Sequence, residues 1–193
     1  MLSAYRDTLL VGQGSRWVAL DPVQGTVRWE SALSVPRGTN EVERLADLIG
    51  PAARDGSVFC ARAFQNAVGC VDAERGTSVV SVPMAGIQPV GADAEMLYAA
   101  DAADRVVARR RSGGETVWST ERLQHRDLSG LLAVPAGVVA GDGDGQIHLL
   151  DRATGRTLRR AATDGSRIVA LVATAPDRVV ALTRRGSVLA FAL

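Results

Sequence analysis

The chain contains two histidines and two cysteines, so few combinations of side chains could bind a metal or perform catalysis. His125 and His148 are not in His-x-x-x-His spacing, and no cysteine pair lies near either of them. Protein zinc sites draw on several such ligands at short, regular spacing. The sequence therefore offers little support for a zinc site, and we predict no bound metal.

Two carboxylates at alternating positions, Asp142 and Asp144 in the stretch Gly-Asp-Gly-Asp-Gly, could in principle bind calcium. A twelve-residue calcium loop needs a bidentate carboxylate at its last position. A loop opening at Asp142 would have Ala153 there. We therefore expect this stretch to form the turn of a β-hairpin.

Cys60 and Cys70 lie on the two arms of a predicted hairpin and are symmetric about Gln65. They could face each other across the two strands, which would allow a disulfide. The alternative is a pair of small buried thiols that pack between layers, since free cysteine is commonly buried. We favour the free thiols.

One pattern recurs along the whole chain: an alternating apolar run, then Asp-x-x-x-Gly, then a second apolar run. Four aligned glycines, at positions 25, 76, 114 and 155, are 51, 38 and 41 residues apart. Common four-stranded propeller blades repeat every ~40 to 45 residues. We place the copies at residues 1–33, 48–82, 86–120, 129–160 and 167–193, with an interblade loop at 34–47.

The repeated residues have local structural reasons. The Asp side chain can accept hydrogen bonds from the backbone of the turn that it opens, and glycine accepts the positive φ that other residues resist. A tryptophan four residues after the glycine could dock between neighbouring blades and bury much apolar area. The structural repeat residues are Asp21, Gly25, Trp29, Asp72, Gly76, Gly114, Trp118, Asp151 and Gly155.

Short β-rich runs with turn signals between them predict an all-β fold. No stretch sustains a helical period. We expect a β-propeller of four-stranded antiparallel blades that is incomplete, with about four to five blades. Counting apolar runs gives three strands in the first and last copies and four in the others, with innermost strands at 86–90, 131–134 and 168–172 in the later copies.

Composition argues against several classes of function. The chain has 22 basic and 21 acidic residues, for a net charge of +1, which does not suit a nucleic-acid binder held by bulk charge. Its longest near-apolar stretch, 130–141, is shorter than the ~20 residues of a membrane-spanning helix. Residues 1–7 have no secretory-signal pattern and no lipidation cysteine follows, so we expect neither in this chain.

The repeat Ala/Leu-x-Asp-x-x-x-Gly-x-x-x-Trp resembles the blades of pyrroloquinoline-quinone enzymes and of their non-enzymatic relatives. The segment from Gly38 to Asp47, Gly-Thr-Asn-Glu-Val-Glu-Arg-Leu-Ala-Asp, resembles the interblade loop of the BamB family of outer-membrane protein assembly factors. Residues 121–129 and 141–148 resemble the segment after that family's Trp-containing strand and its next hairpin. The resemblance covers essentially all 193 residues, against roughly the C-terminal half of an eight-bladed family member.

The resemblance implies a scaffold of the β-barrel assembly (BAM) complex at the periplasmic face of the outer membrane. Such a subunit binds BamA and assists insertion of outer-membrane proteins, and unfolded outer-membrane protein clients could be further partners. By motif match, the partner-binding candidates are Glu41, Glu43, Arg44 and Asp47. The resemblance implies no cofactor.

We expect no enzyme activity, because the sequence lacks the combination of stacking aromatic, metal cluster and catalytic aspartate that a quinone enzyme needs at the centre of its ring. The alternative function is that of a generic quinoprotein-like propeller domain that senses a ligand or binds other proteins. The loop from Glu41 to Asp47 discriminates between the two hypotheses.

Overall fold

A computed structural model describes residues 1–35 and 46–193. These residues form nineteen strands in five antiparallel sheets, four of them four-stranded and the last three-stranded. The prediction of an all-β fold with four-stranded antiparallel blades is confirmed. The part of the chain that the structure describes has no helix with the length and apolar character to cross a bilayer.

The five sheets follow one another along the chain, and we number them as blades. Blade 1 contains β1 (Leu2–Tyr5), β2 (Thr8–Gln13), β3 (Arg16–Leu20) and β4 (Val27–Ala32). Blade 2 contains β5 (Leu48–Asp55), β6 (Val58–Ala63), β7 (Ala67–Asp72) and β8 (Thr77–Pro83). Blade 3 contains β9 (Gly91–Ala92), β10 (Met96–Ala100), β11 (Val106–Arg110) and β12 (Thr116–Thr120). Blade 4 contains β13 (Leu131–Val134), β14 (Gly137–Gly141), β15 (Gln146–Leu150) and β16 (Thr157–Ala162). Blade 5 contains β17 (Ile168–Ala175), β18 (Arg178–Thr183) and β19 (Val188–Ala192).

The first strand of each blade contacts the first strand of the next, so β1, β5, β9, β13 and β17 lie side by side around a common axis. Four of these strands, β5, β9, β13 and β17, line an apolar cavity of about 310 Å³. Buried residues form cores between adjacent blades: Trp17 of blade 1 packs with Phe59 of blade 2, and Val139 of blade 4 packs with Val179 of blade 5. Each blade is therefore stabilised mainly by its neighbours.

The Asp-x-x-x-Gly sequence forms the same turn in three blades. In blade 1 the Oδ1 atom of Asp21 accepts the backbone N–H of Val23 and of Gln24 at 2.8 and 2.9 Å. The backbone oxygen of Asp21 accepts the N–H of Gly25, whose φ is +69°. Asp72 with Gly76 and Asp151 with Gly155 repeat these contacts.

The blade 3 turn keeps the glycine but not the aspartate. The N–H of Gly114 bonds to the backbone oxygen of Arg110, and the φ of Gly114 is +82°. The glycine is thus common to all four turns, because each requires a left-handed backbone at that position.

The two repeat tryptophans pack onto the glycine of the next blade's turn. A Cβ atom on Gly76 would lie 2.6 Å from the indole of Trp29, and a Cβ on Gly155 would lie 2.4 Å from the indole of Trp118. The Nε1–H of Trp118 also donates to the backbone oxygen of Arg152 at 2.8 Å. Each ring therefore docks one blade onto the following one through a position where only glycine leaves room.

The structure differs from the sequence expectation in the number of strands in blade 1 and in the position of the innermost strand of blade 3. Blade 1 has four strands instead of three, because Leu2–Tyr5 pairs with β2 through a tight turn in which Arg6 takes a positive φ without any glycine to signal it. In blade 3 the innermost strand is Gly91–Ala92, whereas 86–90 was expected. Backbone oxygens of Met84 and Gln88 instead accept hydrogen bonds from the side chain of Arg62.

The preference for free thiols at Cys60 and Cys70 is wrong, because the two residues form a disulfide. The register of β6 and β7 places them directly opposite each other, with their Cα atoms 4.0 Å apart. Directly opposed residues of an antiparallel pair project to the same face of the sheet, which brings the two sulfur atoms together. Both side chains lie in the core between blades 2 and 3.

Candidate protein-interaction surface

Of the four residues predicted to contact a partner, one lies in the described part of the chain. Asp47 is exposed and immediately precedes β5, whereas Glu41, Glu43 and Arg44 lie outside the described residues. The backbone oxygen of Asp47 accepts the N–H of Phe64 at 2.9 Å, and the N–H of the next residue, Leu48, donates to the backbone oxygen of Gly14. Asp47 is thereby held between the β2–β3 turn of blade 1 and the β6–β7 turn of blade 2.

Two exposed apolar side chains lie at the same end of the blades. Phe64, in the β6–β7 turn, is 41 % exposed, and Ile87, in the connection from blade 2 to blade 3, is 49 % exposed. Gln65 links the two segments, since its N–H donates to the backbone oxygen of Gly86 and its Oε1 accepts the N–H of Gly86. We call Asp47, Phe64 and Ile87 the loop-end surface.

Arg62 fixes the connection that carries Ile87. Its side chain is fully buried, and its Nε and Nη1 atoms donate to the backbone oxygens of Gln88 and Met84 at 2.8 and 3.0 Å. Its Nη2 donates to the backbone oxygen of Ala100. Burial lowers the pKa of Arg62 to about 10, so the side chain stays a cationic donor at neutral pH. The sequence analysis did not identify this role, and the one available signal was an arginine within an otherwise apolar strand.

A second polar cluster is built around Asp142, in the stretch that the sequence predicts to be the turn of a hairpin. This residue does lie in the β14–β15 turn, and its Oδ1 accepts the N–H groups of Asp144 and Gln146 at 3.0 and 2.8 Å. Its Oδ2 accepts Nε of Arg126 at 2.7 Å and lies 2.9 Å from Nε2 of His148. Asp142 and His148 are both buried.

Burial opposes the charged form of Asp142, but the hydrogen bonds from His148, Gln146 and Arg126 outweigh it and lower the pKa of this carboxyl. Asp142 is therefore a buried anion that neutralises Arg126 and orients the imidazole of His148. The partners of its side chain come from two separate stretches of sequence, one at Arg126 and the other at 144–148.

An Asp–His pair can form part of a hydrolytic triad, in which the other ring nitrogen activates a hydroxyl or thiol. The Nδ1 atom of His148 has no hydrogen-bond partner within residues 1–35 and 46–193. The pair in this conformation thus activates no nucleophile from the described chain. Across the same residues, no three His, Cys, Asp or Glu side chains are grouped so as to hold a metal ion.

Comparison with known proteins gives consistent matches. The sequence profile described as outer membrane protein assembly factor BamB matches residues 2–120. The outer membrane protein assembly factor BamB of Burkholderia pseudomallei is 33 % identical over 92 % of this chain and 47 % of its own length. That of Bordetella pertussis is 30 % identical over 90 % of this chain and 45 % of its own.

The crystal structure of BamB from Moraxella catarrhalis superimposes on all of this chain with a TM-score of 0.87, at 23 % sequence identity and over 57 % of that structure. At this identity the superposition supports the fold. The chain spans about half the length of the curated relatives it matches. On the profile match and the sequence identity together, the chain belongs to the outer membrane protein assembly factor BamB family.

Proposed function

We propose that this chain is a non-catalytic scaffold for outer-membrane protein assembly at the periplasmic face of the outer membrane, and that it binds BamA through the loop-end surface and the adjoining residues Glu41, Glu43 and Arg44. The observation that carries the proposal is the pair of exposed apolar side chains, Phe64 and Ile87, beside the exposed carboxylate of Asp47. Family membership supports the setting in membrane protein assembly.

The chemistry of this surface suits protein recognition. Interfaces commonly have an apolar centre with aromatic residues and a polar rim that tunes association and specificity. Phe64 and Ile87 supply apolar area and Asp47 supplies an acidic group, and the preceding stretch of sequence, 41–44, contains three more charged residues. Because Arg62 and Gln65 fix the backbone beneath this surface, binding would cost little conformational entropy.

The test measures binding of this chain to the periplasmic domains of BamA by biolayer interferometry. The variants are Phe64→Ala and the double variant Arg44→Glu with Asp47→Arg. We expect each to weaken binding by about tenfold or more, since an aromatic anchor or a reversed charge pair commonly changes an interface by that much. Far-ultraviolet circular dichroism checks that both variants fold.

The matched control is Asp177→Arg, which reverses an exposed carboxylate in the β17–β18 turn of blade 5. It should bind BamA like the parent chain. If the folded parent chain does not bind BamA, the proposal is wrong and a generic protein-interaction or ligand-sensing propeller becomes the better explanation. If Asp177→Arg weakens binding as much as the double variant, the loop-end surface is not the contact.

A further inference from the structure

A cavity on blade 4 is lined by basic side chains and has no part in the proposed BamA contact. It has a volume of about 420 Å³ and lies between the segment that follows β12 and the strands β15 and β16. Its lining residues are Arg122, Leu123, Arg126, His148, Thr157 and Arg160. We call it the arginine cavity.

The arginine cavity has an excess of positive charge. Arg122 and Arg160 are exposed, and neither forms an ion pair with any acidic residue in the described part of the chain. Arg126 is neutralised through its Nε by Asp142, and its Nη2 lies at the longer distance of 3.4 Å from Asp144. None of the lining residues is acidic. Two guanidinium groups therefore face this space without a counter-ion among residues 1–35 and 46–193.

The wall of the cavity is held in place and still has unused hydrogen-bonding groups. Asp142 fixes Arg126 on one side and His148 on the other. The Nη1 group of Arg126 and the hydroxyl of Thr157 make no hydrogen bond within the described ranges. The Nδ1 of His148, a residue that is 1 % exposed, is buried without a partner there. Because Nε2 of His148 faces the Asp142 carboxylate, Nδ1 is the acceptor nitrogen of the neutral ring, so the donors available to an anion in this cavity are the arginine and threonine groups.

We propose that the arginine cavity binds the phosphate group of a phosphomonoester. Guanidinium groups match phosphate oxygens through paired N–H donors, and a doubly charged tetrahedral anion can engage Arg122, Arg126 and Arg160 together. A carboxylate has one charge and two oxygens, so it would leave part of this set unpaired. The phosphomonoester has two possible sources, a soluble metabolite or a lipid headgroup.

Isothermal titration calorimetry of the full chain with inorganic phosphate tests the site, and co-flotation with vesicles distinguishes the sources. One set of vesicles contains phosphatidylcholine with phosphatidic acid, a phosphomonoester lipid. The other contains phosphatidylcholine with phosphatidylglycerol, an anionic phosphodiester. The test variant is Arg122→Gln with Arg160→Gln, and the matched control is Arg75→Gln, an exposed arginine of blade 2 outside the cavity.

We expect saturable phosphate binding that the double variant weakens by about tenfold or more, since hydrogen bonds to charged groups are commonly worth at least that factor. Arg75→Gln should bind phosphate like the parent chain. Arginine-dependent flotation with phosphatidic acid but not phosphatidylglycerol would support the site and identify a lipid source, whereas phosphate binding without flotation would support it with a soluble source. Absence of phosphate binding, or equal weakening by Arg75→Gln, would overturn the proposal.

Discussion

Docking of Trp118 onto Gly155 gives a stability difference that can be worked out from the structure. Gly25 and Gly155 occupy the same turn position, with φ of +69° and +68°. A Cβ on Gly25 would meet nothing within 4 Å, whereas a Cβ on Gly155 would lie 2.4 Å from Cε3 of Trp118. The two glycines therefore separate backbone strain from steric conflict with the docked ring.

Alanine at either glycine adopts a left-handed backbone, which costs about 1–2 kcal/mol. At Gly155 the new methyl group must also displace a ring that is 8 % exposed, and such overpacking typically adds about 1–3 kcal/mol. We expect Gly25→Ala to lower the free energy of unfolding by about 1–2 kcal/mol and Gly155→Ala by about 2–5 kcal/mol. Urea unfolding followed by far-ultraviolet circular dichroism measures both without relying on tryptophan fluorescence.

A double-mutant cycle assigns the difference to the ring. Trp118→Ala removes a large buried side chain, with an expected cost of about 3–5 kcal/mol. In that background Gly155→Ala should cost only the backbone term, about 1–2 kcal/mol. Equal losses for Gly25→Ala and Gly155→Ala in the parent chain, or full additivity with Trp118→Ala, would refute the docking argument.

Two further predictions concern the disulfide and the carboxylates of Asp21 and Asp142. Replacing Cys60 and Cys70 together by serine should lower the free energy of unfolding by about 2–3 kcal/mol, because the bond closes a short loop. Reductant should lower the urea midpoint of the parent chain and leave that of the double variant unchanged. Acid should also destabilise the fold. Hydrogen bonds from Arg28, Gln24 and Val23 lower the pKa of Asp21 to about 2, and the pKa of Asp142 is lowered as described above. Both carboxyls have a lower pKa in the folded chain than in the unfolded chain. Their ionised forms therefore stabilise the fold above about pH 4. This contribution is lost as the pH falls through the pKa of each carboxyl in the folded chain, which is about 2 for Asp21. Thermal unfolding at a series of pH values should show this decline, and a flat profile below pH 4 would contradict it.

Much of the blade architecture could be predicted from the sequence, because each blade repeats the same local chemistry. The Asp21 turn and the Gly25 backbone are decided within a few residues, so a short pattern suffices to find them. The partners of Trp29 and Trp118, by contrast, belong to the following blade. The position of each tryptophan four residues after a repeat glycine indicates that the ring docks between blades. Its contact with the glycine of the following blade could be identified only from the structure.

The features that sequence reasoning missed depend on contacts between distant residues. Arg62 bonds backbone oxygens up to 38 residues away, and its neighbours in sequence give no sign of this. Arg126, Asp142 and His148 were all present in stretches that resembled the family, yet their ion pairs form only when two segments meet at blade 4. The disulfide was misjudged because a hairpin pattern fixes the facing pair but does not distinguish a bonded pair from packed thiols.

The interblade tryptophans also give the chain a direction of assembly. The ring of Trp29 belongs to blade 1, but the glycine that receives it, Gly76, is made later, in blade 2, and Trp118 and Gly155 repeat this order. During synthesis the tryptophan of one blade therefore lacks its packing partner until the turn of the next blade has left the ribosome. The contact between Trp118 and Gly155 can therefore form only after the blade 4 turn has been synthesised, so a pause in translation before Gly155 would leave that ring without its docking site.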